Sequence, residues 1–176
     1  MNNKMMITLL AVGSALTATH AFAAAGTVNF NGNILDSACD VDVASQNQVV
    51  VLGDYYKTEF PTTGARTAAT QFNIVLKNCP VTVTNAKVRF DGTPDATNSS
   101  LLAIDSSAAG AATGVAINLM SADKADLPLH GSNSYSYALS STMDNTLSFY
   151  AQYISTAAAV TAGPANSVAN FSVVYN

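Results

Sequence analysis

Two cysteines (Cys39, Cys79), three closely spaced aspartates (Asp36, Asp40, Asp42) and one histidine in the body of the chain (His130) are the residues whose types invite chemistry. The aspartates in "DSACDVD" suggest a cation loop, but the spacing and closing glutamate of a calcium-binding EF-hand are absent, so they read as solvated carboxylates on an edge strand. A cysteine pair binding a metal needs further ligands, and His130 beside Gly131 reads as an exposed loop residue. Serine is abundant, yet no G-x-S-x-G turn supports a Ser-His-Asp triad. "DGTPDATN" lacks the spacing of a phosphate cradle. The sequons at Asn98 and Asn170 read as chance, the second because it falls inside an expected strand. These residues therefore predict no enzyme, no metal site and no cofactor.

The remaining option for the cysteines depends on compartment. The chain opens "MNNKMMITLLAVGSALTATHAFA", with Lys4 before a short apolar run from Met5 to Leu16, and Ala21 and Ala23 at small-residue cleavage positions. That is a secretion signal over residues 1–23, with cleavage within Ala23 to Ala25. Export with an even cysteine count points to one disulfide, Cys39–Cys79, over free thiols or a metal pair. Closing a loop of this length stabilises by roughly 4 kcal/mol in the chain-entropy model. The formal charge is −4 for the whole chain, and removing Lys4 makes it more negative. An acidic chain without a Lys/Arg cluster is a poor nucleic-acid binder, and after the signal no apolar run is long enough to span a membrane.

The elements that must carry these residues are strands. "QVVVLGDY" (Gln48 to Tyr55) is a β-branched run ended by glycine. "QFNIVLKNC" puts Phe72, Ile74 and Leu76 on one face, and "KVRFDG" puts Val88 and Phe90 together before a turn at Asp91-Gly92. "GVAINLM" aligns Val115, Ile117 and Leu119, and "TLSFYAQYI" aligns Leu147, Phe149, Ala151 and Tyr153. Leu101, Leu102 and Ile104 form a short strand, Ala108 to Thr113 reads as loop, and the stretch around Pro128 and Gly131 reads as a turn or edge region. Short alternating runs bounded by turn residues, with no sustained helical period, predict an all-β sandwich in one domain.

The two ends of the chain pose a linked problem. Ala169, Phe171, Val173 and Tyr175 alternate to the penultimate residue, so the chain ends inside an apolar strand with no cover for its outer edge, an aggregation hazard. At the other end "AGTVNFNGNILDSAC" places Val28, Phe30 and Ile34 on one face, with Gly32 leaving a gap in it.

These features together resemble the chaperone–usher pilins of the type 1 fimbrial family: the signal, the alternating N-terminal run with Gly32, Cys39, Cys79 within "LKNCP", and the ending "GPANSVANFSVVYN" from Gly163 to Asn176. The resemblance spans the chain. It implies an incomplete immunoglobulin-like sandwich lacking its last strand, completed by a donor strand from another subunit. Residues 24–36 are then the donor extension, with Val28, Phe30, Gly32 and Ile34 as its inserting face, and residues 37–176 are the pilin domain. Gly163, Phe171, Val173 and Tyr175 are expected at the acceptor groove and its chaperone contact. The implied partners are neighbouring pilin subunits, a periplasmic chaperone and an outer-membrane usher, with assembly through the periplasm into a surface fimbrium that supports adhesion. The chain has no room for a second, sugar-binding domain. A monomeric secreted Ig-like binding module is the alternative.

Overall fold

A computed structural model describes residues 26–32, 34 and 38–175. The signal region, Asp36 and the candidate cleavage site lie outside these residues. The chain divides into two units, residues 1–34 and 35–176. In the first unit, residues 26–32 and 34 belong to no helix or strand. Val28, Phe30 and Ile34 are 74%, 93% and 101% exposed.

The second unit contains two antiparallel sheets. One has five strands in the order β1-β2-β7-β5-β4: β1 Asp40–Val41, β2 Thr70–Lys77, β4 Leu102–Ala103, β5 Val115–Met120 and β7 Asn145–Ser155. The other has three, in the order β6-β3-β8: β3 Asn85–Gly92, β6 Tyr137–Ala138 and β8 Ala169–Tyr175. Alternation along β2, β3 and β7 turns Ile74, Leu76, Val88, Phe90, Leu147 and Phe149 into the space between the sheets, where all six are buried. Phe149 is the centre of this layer, with the rings of Phe72, Phe90 and Tyr137 at 5.6, 5.3 and 5.2 Å from its own. Every residue of β5 is buried. Val115, Ile117 and Leu119 face inward, while Ala116 packs outside the sheet with Leu101 and Ile154.

The register defines two ends of this unit. At the disulfide pole Asp40 lies opposite Lys77, Leu76 opposite Asn145, and Ala86 opposite Tyr175. Cys39 is bonded to Cys79 there, as expected from export and parity, with 4.2 Å between their Cα atoms. The buried Asn145 amide donates to Cys79 Sγ at 3.3 Å and also binds the Ser140 and Met143 carbonyls. At the opposite pole Gly92 lies opposite Ala169 and Val115 opposite Ser155.

Asp40, Asp42 and the histidine have structural partners. Asp40 accepts from the Asn78 amide. Asp42 caps a one-turn helix, α1 (Val43–Gln46), by accepting from the Ala44 amide at 2.9 Å, and its carboxylate also meets Lys77 Nζ at 2.6 Å. The Lys77 hydrogen bond, aided by the Ala44 amide, holds the Asp42 carboxyl below its ordinary range. A depressed carboxyl stabilises the fold above its unfolded pKa, near 4, and that contribution is lost as pH falls through the folded value. Asp42→Ala is therefore expected to lower the urea midpoint at pH 7, with the gap to wild type narrowing at pH 3. An equal gap at both pH values would remove this role. His130 is an exposed loop residue whose Nδ1 lies 2.8 Å from Asp91 Oδ1.

Two expectations need correction. Asp91-Gly92 is not a turn, because β3 runs through both residues and Gly92 still pairs with Ala169; the chain reverses after it. Gln48 to Tyr55 is not a strand in this chain, although its sequence has the composition of one. The reason lies in what stands beside it.

Candidate functional site

One edge of β8 pairs with β3 along all seven residues from Ala169 to Tyr175. Its other edge pairs with no strand among the described residues. Across from that edge runs the segment 49–55, whose backbone makes no hydrogen bond to the described residues. Its hydrogen-bonded anchors lie at its ends, while Leu52 packs on the main core between them. Ser45 Oγ accepts from the Val75 amide and Gln48 donates to the Asn73 carbonyl on one side. Beyond its other end a 3-10 turn, Lys57–Glu59, leads into the buried Phe60. Val50 and Leu52 are half-buried and point inward, whereas Val49 and Val51 are exposed. Gly53 has φ +93°, a conformation that favours glycine, and Tyr55 beyond it packs edge-on against Tyr153.

Between these walls lies an open groove of about 910 Å³. Its floor is the sandwich core, with Phe72, Ile74, Phe90, Ile117 and Leu119 all reaching it. Asp54 and Lys57 are the charged residues along its lining. A one-strand gap in a β-sandwich would have this form: two unpaired backbone edges with an apolar trough between them.

The far end of the groove is closed by residues 160–168, a strap locked onto the loop 110–114. The Ala112 amide donates to the Pro164 carbonyl and the Thr161 amide to the Thr113 carbonyl. Gly163 sits where its strap crosses that loop. A Cβ there would overlap the Gly110 carbonyl oxygen and lie 2.7 Å from the Ala112 amide nitrogen. Tyr153 Oη donates to the Ala165 carbonyl at 2.9 Å, and burial raises the pKa of this hydroxyl.

The residues anticipated from sequence fall at different places. Gly163 and Phe171 line the groove. Val173 and Tyr175 lie farther along β8, partly buried against the main core. Tyr175 Oη donates to the Cys39 carbonyl at 3.4 Å, and burial raises its pKa. Sequence reasoning missed the wall, Val50, Leu52 and Tyr55, and the strap. The signal was present in the Val-Val-Val-Leu-Gly run, which has strand composition and no evident ladder partner.

The Fimbrial protein family model matches residues 28–176. The chain belongs to this fimbrial protein family. The fimbrial subunit is 41% identical over 152 residues to the "Fimbrial subunit type 1" of Klebsiella pneumoniae, covering 85% of this chain and 83% of that one. It is 40% identical over 168 residues to the "Type-1 fimbrial protein, A chain" of Escherichia coli strain K12, covering 92% of each. A solved chaperone–usher pilus matches with a TM-score of 0.66 at 28% identity, over 92% of this chain and all of that one. The fimbrial subunit is thus a structural pilin with an incomplete immunoglobulin-like sandwich, a member of a family of fimbrial structural subunits, and it assembles with other subunits in a surface fimbrium.

Proposed function

We propose that the groove of the fimbrial subunit accepts residues 24–36 of a neighbouring subunit as its missing strand. The observation that carries this reading is the pairing of two unsatisfied structures: a one-strand apolar trough and an exposed alternating run. Val28, Phe30 and Ile34 enter the trough, and Gly32, without a side chain, lets the donor backbone lie close to the floor. Burying the three side chains contributes roughly 5–9 kcal/mol before ordering costs. Main-chain pairing with both walls gives direction and register, as in other β-strand additions. All strand pairs of the domain are antiparallel, and a donor antiparallel to β8 continues that rule, running parallel to the wall 49–55.

The contact is head-to-tail and leaves each new subunit with an empty groove, so repetition gives an open filament. Before assembly the same groove needs cover, which a periplasmic chaperone supplies by lending a strand. An outer-membrane usher is the place of exchange. The alternative of a monomeric Ig-like binding module requires a closed sandwich, and the open groove counts against it.

A synthetic peptide of residues 24–36 tests this reading. Refolding the domain from Ala38 onward with the peptide is expected to give a one-to-one complex with a higher melting temperature than the domain alone. It should also protect the amides of 49–55 from hydrogen exchange. A peptide that neither binds nor protects those amides removes the reading.

A further inference from the structure

We infer that successive copies of this chain also meet domain to domain, the disulfide pole of one subunit seating on the strap end of its neighbour's groove. This rests on the donor-strand reading above, and the short tether behind the donor run carries it. A donor antiparallel to β8 brings its C-terminal end, Ile34, to the start of β8 at Ala169, beside the strap. Ile34 and Cys39 are five residues apart, and five extended residues span at most about 18 Å. Cys39 is fixed in its own domain by the disulfide to Cys79. The disulfide pole of the donor subunit therefore cannot stand farther than that from the strap of the acceptor.

The two surfaces brought together suit direct contact. The strap end is built from residues 106–114 and 156–166, which include no charged residue and are rich in alanine. It is preformed: Gly114, with φ +75°, packs where a Cβ would lie 2.5 Å from the Ala159 carbonyl oxygen, and Gly163 closes on Gly110 and Ala112. Ala109, Ala158, Ala159 and Ala162 are exposed on it. The disulfide pole offers Val81 and Met143, 79% and 70% exposed. They project from the loops after β2 and before β7. A flat patch of small side chains against projecting apolar ones allows burial with no charge on the strap side, while the exposed carboxylates of Asp40 and Asp144 stand at the rim of the disulfide pole. The occupant is a second copy because the tether delivers that copy and no other molecule.

The poles are far apart within one subunit, since β7 has eleven residues, or roughly 35 Å of strand. Ala159→Lys places an amine on the strap end, while Asp40 and Asp144 are native carboxylates of the disulfide pole. Filaments of this variant, treated with a zero-length carbodiimide, are expected to yield an amide between position 159 of one copy and Asp40 or Asp144 of the next, mapped by mass spectrometry. The peptide-complemented monomer should give none. Ala162→Lys serves as a second probe of the same surface should the first fail to fold. If both variants polymerise and neither cross-links to the disulfide pole, the contact is wrong while the donor strand stands. If the wild-type domain does not take the 24–36 peptide, the donor-strand reading falls and this contact falls with it.

Discussion

Phe30→Asp is expected to give a subunit that folds, accepts a donor strand from another copy, and cannot donate its own. Phe30 is 93% exposed and lies outside the unit that holds the core, so its replacement leaves that core untouched. In the groove, however, an aspartate would face Phe72, Phe90 or their neighbours. Losing the burial of a phenylalanine costs about 3 kcal/mol, which alone is more than 100-fold in the exchange equilibrium. An unpaired carboxylate in an apolar trough adds further cost. Because each subunit joins a chain by donating its strand, the variant should be excluded from wild-type filaments except at the first position, and the variant alone should give monomers in place of filaments by electron microscopy. Normal filament lengths would mean that the run from Gly26 to Ile34 is not the donor. Loss of the folded domain itself would mean that this run belongs to its own core.

Gly163→Val is expected to fail differently, by damaging the acceptor. The side chain has no empty space to enter, because the overlapping atoms are backbone atoms of Gly110, Ala111 and Ala112. To fit valine the strap must lift from the 110–114 loop, breaking the Ala112 to Pro164 hydrogen bond of 2.9 Å and uncovering Phe60 and Val115 below. Overpacking against backbone with loss of that contact costs about 3 kcal/mol or more. The urea midpoint of the peptide-complemented domain should fall accordingly, and the peptide should dissociate faster from its strap end. Gly163→Ala carries the same overlap with a smaller group and should fall between. An unchanged midpoint in the valine variant would show that the two loops do not close on one another.

Much of the sandwich was legible in the sequence because β2, β3, β7 and β8 each carry the period-two pattern over six residues or more. Phe72, Ile74 and Leu76, or Leu147, Phe149 and Ala151, can face a common core only as strands. The two-residue strands β1, β4 and β6 carry too few side chains for a period to register, and only the Leu101–Ile104 stretch gave a hint of one. The segment Gln48–Tyr55 shows the opposite error. Its composition is that of a strand, but a strand is defined by its ladder, and among the described residues this segment has no ladder partner. The same fact hid half of the site. Phe171 and Gly163 were recognisable from the C-terminal pattern, whereas Val50, Leu52 and Tyr55 become a wall only when folded opposite β8. Asp42 was legible as an acidic surface residue, but its capping of α1 required the position of the Ala44 amide.

The groove floor and the sandwich core are made of the same side chains: Phe72, Ile74 and Phe90 belong to both. In the proposed assembly a donor therefore cannot withdraw without reopening the interior of its host, and the host cannot loosen without releasing the donor. Departure and unfolding share one barrier, so the lifetime of a joint is set by the unfolding rate of a domain, a quantity that reaches days for small proteins. The cooperative unit of such a filament is neither one polypeptide nor a pair of them. It begins in one chain and ends in the next, and the endurance of the filament is a matter of kinetics.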